Sequence, residues 1–175
     1  MAYIRGNKND YDNWEKIGCT GWSYKDVLPI FKSMEKDQTG GDPKYHSTSG
    51  DWPVVRPQDV NKTAKRFIKA GRHIGLPQNS DFNDASQLGL GIYKVNQDKG
   101  TRVNSYKAFI EPILSRPNLT ILTNARVQSI KVEGDSAESV ILEVNGVIKK
   151  VFCNKEVVLS AGAIESPRIL LSSGI

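Results

Sequence analysis

The chain is poor in the residues that commonly hold metals or form cross-links. Its 175 residues include two cysteines and two histidines. Cys19 and Cys153 lie far apart, without a C-x-x-C spacing and without a nearby histidine pattern. The sequence therefore predicts no metal site and no disulfide framework, and both cysteines are expected to be reduced.

Long apolar runs are absent as well. Nowhere do eighteen apolar residues follow one another, so no membrane-spanning segment is predicted. The first residues lack the basic-then-apolar profile of a signal peptide, which favours the cytoplasm. Hydrophobic residues make up 38% and charged residues 25% of the chain. This composition does not indicate disorder, and the length is sufficient for a domain with its own core.

The net charge of +5 is spread along the chain except for one basic cluster. The cluster lies on one face of a helix predicted over residues 58–76, in which Phe67 and Ile74 are expected to face inward. Its members are Lys62, Lys65, Arg66, Lys69 and Arg72. A solvated helix face explains the cluster better than a nucleic-acid site, because no aromatic stacking platform or nucleic-acid motif accompanies it. A pI of about 9.2 leaves one alternative open, a free-standing basic α+β module that binds acidic partners.

Neither a complete G-x-G-x-x-G fingerprint nor a clear catalytic residue is present. The triplet at 89–91 imitates a phosphate loop only weakly. The acidic segment at 81–84 lacks the glycine spacing and the downstream acid of a calcium loop. His46 lies in a connector, residues 37–57, that is rich in glycine, proline, serine and threonine. A structural or surface role is therefore predicted for this histidine.

The last twenty residues, EVVLSAGAIESPRILLSSGI, have the pattern of a strand, a turn and a helix. Val157–Leu159 is apolar and β-branched, as in a strand buried on both faces. Small residues at 160–163 predict a turn that a ligand can approach closely. The helix begins either with Ser166 as N-cap and Pro167 in the first position, or near Gly162. The amides of such a terminus suit a phosphate or the edge of a nucleotide.

The remaining patterns predict a mixed α+β or α/β fold. Ser23 with Asp26 three residues later predicts a helix start, and residues 104–114 have an apolar face of helical period. Asn145-Gly146 is a strong hairpin signal, and Gly174 is expected to end the last helix. Strands are predicted at Trp52–Val55, 119–123, 127–132, 139–144, 147–153 and 155–160.

Ordered blocks over nearly the whole chain resemble the glucose–methanol–choline (GMC) oxidoreductases, which are FAD-dependent enzymes that oxidise alcohols. The matching residues include Arg5-Gly6, Asp10-Tyr11-Asp12, Gly21-Trp22-Ser23-Tyr24, Asp81-Phe82-Asn83, Gly100-x-Arg102, Arg116-Pro117-Asn118-Leu119, Gly162-Ala163, Ser166-Pro167 and Ser173-Gly174-Ile175. Asn96 departs from the pattern, because the family usually has a threonine at this position.

The resemblance implies a partial FAD-binding domain of GMC type together with part of the substrate or cap domain. It assigns residues 1–36 and 118–175 to the FAD-binding domain and residues 37–117 to the helical cap region. A backbone contact to the adenine is implied for the strand near residue 127. The implied cofactor-binding residues are Val127, Ser160, Ala161 and Gly162.

The implied activity is oxidation of a CH–OH group, in which FAD takes a hydride and a histidine takes the proton. In the family, that histidine follows the segment that Ile175 matches, and a dinucleotide fingerprint precedes the segment that Met1 matches. The chain is therefore expected to be a central fragment without catalytic residues, and alone it should bind no flavin and show no turnover. The implied substrate is a small-molecule alcohol, with an electron acceptor of unspecified class.

Overall fold

A computed structural model describes residues 2–175 and separates the chain into two compact units. Unit 1 is Met1–Arg116 and unit 2 is Pro117–Ile175. Both units contain strands together with helical turns, which confirms the mixed helix and strand fold class. Within residues 2–175, no helix combines the length and the apolar character needed to cross a membrane.

Two short helices form the N-terminal part of unit 1. Helix α1 (Lys8–Lys16) begins with a capping box between Asn7 and Asp10, and helix α2 (Tyr24–Met34) follows it. Ser23 is the N-cap of α2, which confirms the predicted start. Its hydroxyl donates to the carboxylate of Asp26 and makes no hydrogen bond to the backbone of the first turn.

Unit 1 contains two pairs of very short strands. Strand β1 (Glu35–Asp37) follows α2 directly and pairs in parallel with β2 (Trp52–Val54), which confirms the strand predicted at Trp52–Val55. Gly50 permits this arrangement, since a Cβ there would lie 2.3 Å from the carbonyl carbon of Met34. An antiparallel pair joins β3 (Gln97–Asp98) to β4 (Thr101–Arg102).

The basic helix is shorter than the sequence predicts, because α3 spans Lys62–His73. Phe67 and Ile74, which were expected to face inward, are 66% and 77% exposed. That expectation was wrong because unit 1 packs closely on this helix at Gly71, which is buried. A Cβ at Gly71 would lie 2.0 Å from Cδ1 of Leu90.

The helix predicted at residues 104–114 is present as irregular helical turns. A π-helical turn (Tyr106–Ile110) is followed by a 3₁₀ turn (Glu111–Ile113). Pro112 lies in the second turn and has no N–H, so it cannot donate the backbone hydrogen bond that a continuous α-helix requires at that position.

Unit 2 is a three-stranded antiparallel sheet with one helix packed on its first strand. The sheet order is β5 (Ala125–Glu133), β6 (Ser136–Val144) and β7 (Val147–Phe152), and helix α4 (Glu165–Ser173) packs on β5. The β6–β7 hairpin turns at Asn145 and Gly146, with φ values of 52° and 79°. Both values are positive, as a type I′ turn requires, which confirms the predicted hairpin.

Two predicted strands of unit 2 are wrong. Residues 119–123 and 155–160 pair with no strand among the residues that the structure describes. Val158, which was expected to be buried, is 75% exposed. The apolar pattern alone could not make strands here, because a strand also needs a neighbouring backbone to accept and donate its hydrogen bonds.

Helix α4 follows the second of the two predicted starting points. The helix starts at Glu165 with Ile164 as its N-cap, and the N–H of Ser166 donates to the carbonyl oxygen of Gly162 at 3.0 Å in the turn that leads into it. Pro167 therefore lies inside the first turn of the helix and not at its first position. Gly174 ends the helix with φ 82°, as predicted.

Candidate cofactor groove and a buried ion network

An open groove of about 660 Å³ lies in unit 2, between the start of β5 and the first turns of α4. Its lining consists of strand, turn and helix residues and includes one acidic and two basic side chains. The lining residues are Asn124, Ala125, Arg126, Val127, Ala161, Glu165, Arg168 and Ile169. A concave surface of this size can accommodate part of a nucleotide-like ligand.

The groove brings together residues that the sequence analysis selected. Val127 and Ala161 both line it, although they are far apart in the chain. Ser160 and Gly162 are exposed on either side of Ala161. Gly162 has φ 99°, and a Cβ built at this position would have no atom within 4 Å. The bend at residues 160–162 is therefore open and not filled by bulky neighbours.

Two backbone groups of the groove already have protein partners. Nη2 of Arg168 donates to the carbonyl oxygen of Val127 at 2.8 Å, and Nε of Arg168 donates to Glu165 at 2.6 Å. The N–H of Ala161 donates to Oγ of Ser166 at 3.0 Å. A ligand that bonds to the Val127 carbonyl must share it with Arg168. The groove therefore offers fewer free backbone groups than the small residues of the turn predicted.

A serine near the end of α4 joins this helix to strand β5. The N–H of Ile130 donates to Oγ of Ser173 at 2.8 Å, and that hydroxyl donates to the carbonyl oxygen of Ile169 at 2.6 Å. Ile130 and Ile169 are both buried. The hydroxyl therefore satisfies a strand N–H that faces the helix and holds α4 in register with β5.

A second polar centre lies in unit 1, where charged side chains are buried together. Glu35 pairs with the guanidinium of Arg5 and accepts a hydrogen bond from Nδ1 of His46 at 2.8 Å. All three side chains are almost completely buried. Such a group is stable only when every charge has a partner, because an unpaired charge in this environment is strongly disfavoured.

The network continues from His46 to three further charges. Nε2 of His46 lies 3.0 Å from Oδ2 of Asp81. Nζ of Lys94 lies 2.6 Å from the same Asp81 oxygen and 3.4 Å from Oδ1 of Asp37. With His46 protonated, the network contains three cations and three anions and has no net charge.

The electrostatics of the network favour this charged state. Burial alone would lower the pKa of His46, but its contacts with Asp81 and Glu35 outweigh burial and raise the pKa to about 9. Burial would raise the pKa of Asp81, but its close contacts with His46 and Lys94 lower it below its usual range. The pKa of Asp37 is also lowered, since donors from Gly41 and Thr39 outweigh its burial.

The buried carboxylates also have the composition of a metal site, because ligand atoms of Glu35, Asp37 and His46 lie within 4.8 Å of one another. Two cationic side chains already occupy the space beside them, namely the guanidinium of Arg5 and the ammonium of Lys94. These cations neutralise the carboxylates that a metal would need, so the geometry fits an ion network better than a metal centre.

The network explains the position of His46 and shows what sequence reasoning missed. His46 is buried and structural, in agreement with one of the two roles predicted for it. Glu35 and Lys94 carried no sequence signal because they become partners only in the folded chain. Arg5 and Asp81 did belong to blocks that resemble the GMC family. That resemblance was the one sequence signal that could have pointed to these two residues.

Comparisons with known proteins place the chain in a family. A family model described as GMC oxidoreductase matches residues 1–175. The chain is 36% identical over 175 residues to an oxygen-dependent choline dehydrogenase from Sinorhizobium fredii and 36% identical over 177 residues to an alcohol dehydrogenase [acceptor] from Pseudomonas putida. Each alignment covers 100% of this chain and 32% of the relative. The chain thus spans about a third of the length of these relatives.

Solved structures give the same result. The fold matches pyridoxine 4-oxidase from Mesorbium loti with a TM-score of 0.88 and 35% identity, covering 100% of this chain and 35% of the oxidase. It also matches an FAD-dependent oxidoreductase from Chaetomium thermophilum with a TM-score of 0.88 and 28% identity, covering 100% of this chain and 33% of that protein. The chain therefore belongs to the GMC oxidoreductase family.

Proposed function

We propose that this chain contributes FAD-binding surface to a GMC-type enzyme that oxidises the CH–OH group of a small-molecule alcohol. The observation that carries the proposal is the groove in unit 2, which Val127 and Ala161 both line. Bound FAD supplies the hydride acceptor in such an enzyme. The names of the relatives, which include a choline dehydrogenase and an alcohol dehydrogenase, support an alcohol as the donor.

The size and the chemistry of the groove support part of a flavin nucleotide as its proposed ligand. Its volume of about 660 Å³ is within the range of small-molecule sites. The open bend at Gly162 leads into the N-terminus of α4. The N–H of Ser166 already donates to Gly162 and Pro167 has none, so the helix dipole, more than free N–H groups, favours anionic or polar ligand edges here. We propose Val127, Ser160, Ala161 and Gly162 as the residues that contact the cofactor.

The chain's own residues are proposed to bind and orient, and not to perform the proton transfer. His46 is enclosed by Glu35 and Asp81, and His73 is exposed at the end of α3. Neither lines the groove of unit 2. A base that takes the proton from the alcohol would accordingly come from a part of the enzyme that these 175 residues do not include.

The proposed domain assignment follows from the same family relationship. Residues 1–36 and 118–175 are proposed to belong to the FAD-binding domain, and residues 37–117 to the substrate or cap region. The electron acceptor and the identity of the alcohol would be determined by the complete enzyme.

Exposed apolar side chains support the view that further protein covers this chain in the active enzyme. Large apolar residues lie on the surfaces of both units, and the most exposed are Ile17, Ile74, Leu88, Val158, Ile164 and Leu171. A free-standing module would be expected to bury more of them. This observation favours the enzyme component over a basic α+β module that acts alone.

A chimera tests the proposal. The matching central third of the M. loti pyridoxine 4-oxidase is replaced by this chain, and flavin content is measured by visible absorbance of the purified protein. Val127→Pro removes the backbone N–H at the groove, whereas Val127→Ile keeps it. We expect flavin in the chimera and in the Val127→Ile form, and a marked loss in the Val127→Pro form.

Two results would contradict the proposal. One is a folded chimera that contains no flavin; the other is equal flavin content in the proline and isoleucine forms. For the chain expressed alone, we expect no flavin absorbance and no alcohol oxidation. A yellow purified chain would show that the groove needs no further protein to bind the cofactor.

A further inference from the structure

A second concave surface lies in unit 1 and has no role in the proposed flavin site. It has a volume of about 640 Å³ and lies between the start of α1, the start of α2 and the segment around residues 82–88. Three lysines line it, Lys8, Lys25 and Lys44. We call this surface the lysine cleft.

The lysine cleft has a strong excess of positive charge. Within residues 2–175, none of its three lysines has a carboxylate within 4.0 Å, although seven ion pairs form among other residues. Asp84 is the only acidic residue in the described lining. Cations that share a concave surface raise the local potential and attract anions. Their mutual repulsion is relieved when an anion binds between them.

Arg5 forms part of the wall of the same cleft. Its side chain is 2% exposed, and it lines the cleft while pairing with Glu35. Nη1 donates to the carbonyl oxygen of Tyr45, but the buried Nε has no hydrogen-bond partner among the described residues. Because this nitrogen is closed off from solvent, a ligand in the cleft would contact the wall that Arg5 forms and would not bond to Nε directly.

We propose that the lysine cleft binds a small molecule that carries a phosphate group. The volume is that of a metabolite site. Lysines bind phosphate as point charges, and a phosphate group carries about −1.5 to −2 charges at pH 7, more than a single carboxylate. In this cleft the guanidinium of Arg5 is already committed to Glu35 and Tyr45. The tyrosines at positions 24 and 45 also line the cleft, and the ammonium of Lys44 lies 5.1 Å from the centre of the Tyr45 ring.

Calorimetry with inorganic pyrophosphate on the full 175-residue chain tests the proposal. The variant is Lys8→Gln/Lys25→Gln/Lys44→Gln. The matched control is Lys62→Gln/Lys65→Gln/Lys69→Gln on α3, which lowers the net charge equally. We expect saturable one-to-one binding that weakens about tenfold in the cleft variant and is unchanged in the control, since each exposed ion pair contributes only a fraction of a kcal/mol.

NMR provides a second measurement, one that anion binding to exposed lysines alone would leave unchanged. Pyrophosphate is expected to shift the Nε–Hε resonance of Arg5 in the unmodified chain and in the α3 control. Far-ultraviolet circular dichroism checks that all variants are folded.

Several results would overturn the proposal. Equal weakening in both triple variants would mean nonspecific attraction to net charge, and absence of saturable binding would mean that no site exists. Citrate binding as tightly as pyrophosphate would refute the preference for phosphate. Polyglutamate binding through the cleft lysines, without pyrophosphate binding, would identify a docking surface for an acidic protein instead.

Discussion

The buried network predicts that unit 1 loses stability as the pH rises, with His46 as the cause. Its pKa is about 9 in the folded chain, compared with an ordinary value of 6.5. Below about pH 6.5 the imidazole is protonated in both the folded and the unfolded chain, so the full stabilisation is present. As the pH rises through about 9, the folded chain also loses this proton and the stabilisation disappears.

The magnitude follows from the difference between the two pKa values. Each unit corresponds to about 1.4 kcal/mol, so the contribution of His46 to the free energy of unfolding is about 3 kcal/mol at pH 6 and close to zero at pH 10. The lowered pKa of Asp81 acts in the opposite direction, because its contribution is lost as the pH falls below about 4. The His46–Asp81 ion pair contributes to both pKa shifts, so its free energy is counted once and is not added for each residue.

Tryptophan fluorescence during urea unfolding measures this effect in unit 1 alone. All three tryptophans, Trp14, Trp22 and Trp52, lie in unit 1. The free energy of unfolding is compared between the unmodified chain and His46→Gln from pH 5.5 to 10, a range we choose to bracket both pKa values. The difference between the two proteins should shrink by about 3 kcal/mol across that range.

His73→Gln is the matched control, because this exposed histidine has no carboxylate within 4.0 Å among the described residues. Its pH dependence should equal that of the unmodified chain. Direct NMR titration of His46 gives an independent value of its pKa. A midpoint below pH 7, or a constant difference between the unmodified chain and His46→Gln, would refute the charged network.

Three further predictions concern single contacts. Glu35→Gln leaves Arg5 without its buried counter-charge, so urea unfolding should show a loss of about 3 kcal/mol or more; a loss below about 1 kcal/mol would contradict the burial of this pair. Gly91→Ala should lower the thermal midpoint and cost about 1–3 kcal/mol, because a Cβ would lie 1.8 Å from the carbonyl oxygen of Asn79; an unchanged midpoint would exclude that close approach. Ser173→Ala removes the acceptor of the Ile130 N–H. Hydrogen exchange of this amide should then accelerate about tenfold, which corresponds to a cost of about 1–2 kcal/mol. The control Ser172→Ala, on the same helix, should leave the exchange rate unchanged.

The local elements that sequence analysis predicted well were those whose signals act over a few residues. Asn145-Gly146 defined a hairpin because both residues tolerate positive φ, and Ser23 and Gly174 marked helix ends. The segment at 155–160 was predicted as a strand from its apolar pattern alone. That prediction failed because pairing depends on a backbone partner, which the pattern of a single segment does not specify.

The candidate site was only partly predictable for the same reason. Small residues and family resemblance selected Val127 and Ala161, and the structure places both along one groove. Arg168 was missed because its role depends on α4 lying beside β5, a long-range relationship. The charged partners of His46 were missed likewise, since Glu35 and Asp81 are distant from it in sequence.

The buried network also has a consequence for how unit 1 folds. Its charges come from positions between Arg5 and Lys94, so no local segment can assemble it. Any partial assembly would desolvate a charge before its counter-charge arrives, which raises the energy of intermediates. Contacts of such long sequence separation also slow the search for the native topology. We therefore expect the charges to lose their water late and together, so that the step forming the most specific contacts of unit 1 also limits its folding rate.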